Sequence, residues 1–181
     1  SRGHGVHLSL SYDIGVQGFI DYLNAEGLNY VVVRFFEKLP KLHREGGDLD
    51  MLATDEDEKK IRAFLEKNPG SIHIDLYSVN GIVKSKIPYF PPSLSNRILS
   101  NTIVGPGNAR VPAPTEALLS QCYHVAYHKG VHSGVPTMIP DLQVERYPEN
   151  DYEGEIKRLA KVAGADVEVT LEGIDEYLAK N

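Results

Sequence analysis

Residues 46–52 (GGDLDML) place two carboxylates two positions apart, directly after a pair of glycines and inside an apolar run. Alternate side chains of a β-strand point to the same face of the sheet, so Asp48 and Asp50 project together while Leu49 and Met51 enter the core. Two ionised carboxylates that lie close repel each other, and the pKa of one rises unless a cation separates them. Mg²⁺ suits this position because proteins hold it with one or two carboxylates and substrate phosphates. The segment therefore predicts a strand that carries a metal site.

A second apolar run, residues 72–77 (IHIDLY), has one carboxylate at its centre. Alternation places its three aliphatic residues on one face of a strand and His73, Asp75 and Tyr77 on the other. If the two strands are neighbours, three carboxylates form one cluster that can hold metal ions for phosphoryl or nucleotidyl transfer. The alternative is that the Asp pair is a polar strand end beside a glycine turn and that Asp75 lies on a solvated edge.

Composition bounds the class of protein. The 181 residues suffice for one domain with a sizeable core, or for one domain with a small appendage. A net charge of −6 argues against a nucleic-acid-binding surface, which is usually basic. The single cysteine, Cys122, cannot form an internal disulfide, and we expect it to be a buried thiol. No apolar run approaches the ~20 residues of a membrane span, so we expect a cytoplasmic protein.

The order of elements predicts an α+β fold. Apolar periodicity and turn residues indicate first a helix around Val16–Leu23 that is ended by Gly27, and then strands at 30–36 and 48–53. A helix follows, capped by Thr54 with Asp57 as its capping-box partner. The next elements are a strand at 71–79 and a hairpin turn at Asn80-Gly81 that leads into a strand at 82–87. Four further helices follow: a short one between 92 and 101, one from Thr115 to Lys129, one ended by Gly164, and one capped by Thr170. We therefore expect a small mixed β-sheet with packed helices over residues 1–112, and a mainly helical C-terminal part over residues 113–181 that packs on this core.

Several of these segments together resemble a known family. They are residues 31–40 (VVVRFFEKLP), the Asp48–Asp50 pair after its glycines, Asp75 on the later strand, residues 123–130 (YHVAYHKG) and, more loosely, residues 169–178 (VTLEGIDEYL). This pattern, over roughly residues 15–130, resembles the nucleotidyltransferase superfamily with its polymerase-β-like fold. Within it, the chain is similar to a small bacterial branch found in surface-polysaccharide biosynthesis proteins.

The resemblance implies a metal-dependent nucleotidyltransferase. Such an enzyme moves a nucleoside monophosphate from a nucleoside triphosphate to a hydroxyl or phosphate acceptor, here an unidentified small molecule or glycan precursor. It implies that Asp48, Asp50 and Asp75 are the catalytic residues and hold one or two Mg²⁺ ions, with Asp75 as the general base. Candidate nucleotide-binding residues are Arg34, Lys41, Arg44, Gly47 and Lys129. The alternative for the basic residues between the first two strands is a solvated loop.

The chain departs from the family where the backbone approaches the triphosphate. The family has Gly-Ser or Gly-Gly just after the first strand, whereas this chain has Arg34-Phe35-Phe36. Phenylalanine has a Cβ and a ring, so we expect that Phe35 cannot copy the backbone freedom of glycine. Either the phosphates lie differently, against Arg34, or the chain is an inactive nucleotidyltransferase-like binding or regulatory domain of a larger polysaccharide-biosynthesis protein. A metal-dependent glycosyltransferase is a third alternative, for which this chain looks short.

One further pair of residues has metal-ligand spacing. His124 and His128 are four residues apart on a predicted helix, with Gln121 on the same stripe. This spacing can bind Zn²⁺, although no third ligand is identifiable from the sequence. The alternatives are a polar helix face, or side chains that contact the nucleotide or the acceptor.

Overall fold

The computed structural model describes residues 6–41, 48–81 and 87–181. Within these ranges the chain divides into two compact units, the first ending at Ala113 and the second spanning Pro114–Asn181. The first unit contains all the described strands, and the second is helical. The predicted α+β class, with a small mixed sheet followed by a helical C-terminal part, is confirmed.

The first unit is built on a four-stranded sheet. Its described strands are β1 (Val6–Leu10), β2 (Tyr30–Val32), β3 (Leu49–Ala53), β4 (Ile72–Ser78), β5 (Thr102–Val104) and β6 (Arg110–Pro112), and its helices are α1 (Gly15–Ala25), α2 (Asp55–Lys67) and α3 (Pro92–Ser100). The sheet order is β1-β4-β3-β2, and β5 pairs separately with β6. The central strands β3 and β4 run parallel, whereas β1 and β2 flank them antiparallel. The sheet is therefore mixed, with its parallel pair in the middle.

The core lies on one face of this sheet. Alternate residues of β3 and β4 point into it, among them Met51 and Ile74, and they meet Phe19 of α1 and Ile61 of α2. The predicted division of the two strands into an apolar face and a carboxylate-bearing face is confirmed, because period-2 alternation sorts the side chains. Burial of the aliphatic residues fixes the register, since a one-residue slip would turn them towards the other face.

The start of α2 confirms one predicted cap and corrects another. The hydroxyl of Thr54 accepts a hydrogen bond from the backbone N–H of Asp57, as expected for an N-cap. The carboxylate of Asp57 does not complete a capping box. It accepts instead from the backbone N–H of Asn29, and the carbonyl of Asn29 accepts from the N–H of Thr54. The cap thus joins α2 to the segment before β2, a long-range contact that the local motif does not contain.

Three elements differ from the sequence prediction. Strand β1 was not predicted and takes an edge of the sheet, and the β5–β6 ribbon was not predicted either. The strand predicted over residues 30–36 ends at Val32, because the backbone turns at Phe35. A strand is also predicted over residues 82–87, but residues 82–86 lie outside the described residues.

The second unit packs α4 (Pro114–Tyr123) against α5 (Tyr152–Ala163) and α6 (Leu171–Lys180). The helix predicted from Thr115 to Lys129 has the expected extent, but its last six residues, His124–Lys129, form a π-helical turn. Gly164 ends α5 in the left-handed conformation and Thr170 caps α6, both as predicted.

Cys122 is fully buried, and burial raises the pKa of its thiol to about 12. In the described part of the chain, no helix has the length and apolar character needed to cross a membrane.

Candidate functional site

Three polar side chains meet on the sheet face opposite the core. The parallel register of β3 and β4 places Asp50 directly beside Asp75, and the antiparallel register of β1 places His7 on the other side of Asp75. Partnered residues in neighbouring strands present their side chains to the same face. The fold therefore lines up His7, Asp75 and Asp50 across three adjacent strands.

These groups lie side by side. Asp50 and Asp75 are register partners on neighbouring strands, and Nδ1 of His7 donates to Oδ1 of Asp75. The carboxylate side chains are 16% and 11% exposed, whereas the ring of His7 is 67% exposed. The two carboxyl groups are therefore largely buried, and the solvent-exposed end of the row is at His7.

A buried arginine faces the other end of the row. Arg34 follows β2, where the N–H of Val33 donates to the carbonyl of Asp50 at 3.0 Å and continues the ladder. The Arg34 side chain is 5% exposed, and its Nη1 lies 3.5 Å from Oδ2 of Asp50. Both guanidinium Nη atoms donate to the hydroxyl of Tyr89, Nη1 at 2.9 Å, and the Tyr89 ring stacks on Tyr77 with 3.7 Å between centroids. Arg34, assigned above to the nucleotide phosphates, is thus held against Asp50 and Tyr89.

The carboxyl pair carries an unusual charge state. The pKa of Asp50 is raised to about 7: burial is the largest cause, the neighbouring charges of Asp75 and Asp48 add to it, and the Arg34 guanidinium opposes it. Two neighbouring carboxylates cannot both ionise without a cost. Near neutral pH the pair therefore holds a proton for part of the time, and a divalent cation is the natural replacement for that proton.

The turn after β2 contains a backbone conformation that glycine adopts most readily. Phe35 adopts φ 53° and ψ 37°, the left-handed helical conformation, and its ring packs against the core. Phe35 therefore adopts a conformation that favours glycine while it keeps its Cβ and ring, so the expected difference from glycine at the approach to a triphosphate stays a prediction. A residue with a Cβ in this conformation costs about 1–2 kcal/mol, which the packing of its ring offsets.

The remaining predicted site residues lie in different places. Asp48 precedes β3 and is exposed, and in the described residues no group of three or more His, Cys, Asp or Glu side chains is placed to hold a metal ion. Lys41 is exposed at the end of a described segment. Lys129 belongs to the second unit and pairs with Glu149 at 3.2 Å. Arg44 and Gly47 fall within residues 42–47, outside the described residues.

Sequence reasoning missed two residues of this site, His7 and Tyr89. The run 6–10 (VHLSL) alternates apolar and polar residues, and this alternation could have identified a strand with His7 on its polar face. Tyr89 lies among prolines, where periodicity gives no signal.

Comparison with protein-family models, with curated proteins and with solved structures finds no match to this chain.

Proposed function

We propose that this chain is a metal-dependent nucleotidyltransferase that moves a nucleoside monophosphate from a nucleoside triphosphate to a hydroxyl or phosphate acceptor. The observation that carries the proposal is the juxtaposition of Asp50 and Asp75 on the central parallel strands β3 and β4. Their carboxyl oxygens, with those of Asp48 at the start of β3, are the donors that Mg²⁺ prefers. The donor set fits this ion, because Mg²⁺ in nucleotide sites takes only one or two carboxylates from the protein.

Each residue has a distinct role in this proposal. Asp50 and Asp75 hold the ion, which when bound neutralises phosphate charge and aligns the displacement. Asp75 also takes the proton of the acceptor hydroxyl. Arg34 supplies a fixed positive charge beside Asp50, where negative charge develops on the transferred group.

A second candidate function is a non-catalytic nucleotidyltransferase-like domain that binds a partner or a ligand in a larger protein. The observation that favours it is that the carboxyl pair already lies between two basic side chains of the chain itself. Arg34 lies beside Asp50 and His7 is bonded to Asp75. In this alternative the guanidinium of Arg34 and the imidazole N–H of His7 remain beside the carboxyl oxygens, and no metal enters.

Ligand-dependent thermal stabilisation separates the two candidates. We would measure unfolding of the chain with ATP, CTP, GTP and UTP, each with and without Mg²⁺. A ligand that binds only the folded state at a concentration of 100 Kd stabilises it by about 2.7 kcal/mol. The test variants are Asp50→Asn and Asp48→Asn, and the matched control is Glu66→Gln, which removes an exposed carboxylate on α2.

The enzyme proposal requires Mg²⁺-dependent stabilisation by at least one nucleotide. This stabilisation is lost in Asp50→Asn and kept in Glu66→Gln. The nucleotide that stabilises the chain then becomes the donor in a screen of acceptors. The absence of stabilisation by every nucleotide contradicts the enzyme proposal and supports the non-catalytic domain.

A further inference from the structure

The π-helical turn in the second unit brings two imidazoles together. Nδ1 of His124 lies 2.8 Å from Nδ1 of His128. At this distance one ring must donate its N–H and the other must accept with its lone pair, because two protonated or two unprotonated nitrogens would repel. Residues four apart lie on one face of a helix, and here they lie in a π-helical turn, a feature that occurs frequently at functional sites.

The surroundings of this pair are aromatic and mostly buried. The His124 side chain is buried, and its ring lies edge-on to Tyr152 at 5.6 Å between centroids. The His128 ring lies edge-on to Tyr123 at 5.3 Å. Aromatic rings therefore flank both imidazoles of the pair.

A third polar group lies on the same stripe of the helix. Gln121 precedes His124 by three residues and is only 2% exposed, and its Oε1 has no hydrogen-bond partner in the described part of the chain. A buried carbonyl oxygen without a donor costs about 1–3 kcal/mol. Such an atom in a folded protein calls for an explanation, and a bound ion or water is one of the usual ones.

We propose that His124 and His128 form a binding site for a transition-metal ion of the Zn²⁺ class, with the amide oxygen of Gln121 accepting a hydrogen bond from water on that ion. Zinc binds imidazole nitrogen at ~2.0–2.1 Å in tetrahedral geometry, which places two such nitrogens about 3.3 Å apart. The two rings therefore need to separate by only about 0.5 Å for an ion to replace the shared proton. Nitrogen donors select zinc, copper or nickel over Mg²⁺, so this site is chemically distinct from the carboxyl pair.

Calorimetric titration of the metal-free, 181-residue chain with Zn²⁺ tests the proposal. All titrations use the Asp50→Asn variant as background, so that the carboxyl pair does not compete for the ion. The test variant is His128→Gln, and the matched control is His132→Gln, which removes an exposed histidine outside the π-helical turn. We expect one Zn²⁺ per chain, at least about tenfold weaker binding in His128→Gln and unchanged binding in His132→Gln.

A spectroscopic measurement keeps the test decisive if His128→Gln fails to fold. Electron paramagnetic resonance of Cu²⁺ bound to the background variant should show coupling to two nitrogen nuclei, one from each ring. The proposal is overturned if no metal binds at one equivalent, if His128→Gln binds like the background variant, or if the bound Cu²⁺ shows fewer than two nitrogen neighbours.

Discussion

Replacing Asp50 by asparagine should make the chain more stable above neutral pH. The folded carboxyl has its pKa raised from the ordinary value of 3.8 to about 7, first by burial and then by Asp75 and Asp48. Between these two pH values the folded state holds a proton that the unfolded state has released. Stability conferred by this proton is present at low pH, falls as the pH rises through the window, and is lost above pH 7.

The size of the effect follows from the same two values. The difference between the folded and unfolded pKa corresponds to at most about 4 kcal/mol of stability, fully lost above the folded pKa. Asparagine resembles the protonated acid in shape, yet it carries no charge at any pH. The free energy of unfolding of Asp50→Asn minus that of the wild type should therefore be small near about pH 4 and should reach several kcal/mol near about pH 8.

Urea unfolding followed by circular dichroism, over a series of pH values at low salt, measures this difference. The control is Glu66→Gln, which removes a carboxylate charge from an exposed position on α2. The free energy of unfolding of this control should stay within about 0.5 kcal/mol of the wild-type value at every pH. A pH-independent difference for Asp50→Asn would refute the reasoning, because the folded state would then not raise the pKa of Asp50. Added Mg²⁺ should stabilise the wild type above pH 7 and leave Asp50→Asn unchanged if the enzyme proposal is correct.

Three further substitutions test the packing around the site by the free energy of unfolding. Gly70→Ala should cost about 2–3 kcal/mol, because its Cβ would lie 2.4 Å from a backbone atom of residues 10–11 at the end of β1. Tyr89→Phe should cost about 2–3 kcal/mol, since the buried guanidinium of Arg34 loses its hydroxyl acceptor, and a result near zero would contradict this contact. Thr54→Ala should cost about 1 kcal/mol through loss of the N-cap of α2, whereas Thr54→Ser should preserve most of the stability.

The sequence predicts those parts of the site that depend on local pattern. Alternation in β3 and β4 placed Asp50 and Asp75 on the polar face, and the assumption that these strands are neighbours turned out to be correct. The row of bonded groups required more than local pattern. His7 reaches Asp75 only because β1 pairs with β4 over a separation of 68 residues, and Arg34 bonds Tyr89 over 55 residues. Such contacts follow from tertiary pairing and leave no periodic signal.

The turn at Phe35 shows a second limit on what can be predicted from the sequence, and this one concerns backbone conformation. Steric preference alone excludes a bulky residue from the left-handed conformation, and this preference is a matter of about 1–2 kcal/mol. The ring of Phe35 packs against the core, and burying most of a phenylalanine returns a similar amount, about 1.5–3 kcal/mol. A local rule therefore failed because a packing contact of comparable size opposed it. The resulting strain lies directly beside Arg34, at an end of the row of charged groups.

The row formed by His7, Asp75, Asp50 and Arg34 determines which basic side chain moves away when a metal ion binds. Arg34 and His7 stand at opposite ends of the carboxyl pair, but their surroundings differ: the guanidinium is 5% exposed and bonded to Tyr89, whereas the imidazole is 67% exposed. Moving Arg34 would leave a buried charge without partners, a cost of several kcal/mol, while the ring of His7 can turn into water at little cost. An incoming cation should therefore displace His7 and approach from the solvent side of Asp75. His7→Ala should then keep or strengthen Mg²⁺ binding measured by calorimetry, whereas a loss of binding would show that His7 holds the carboxylate in its metal-binding orientation.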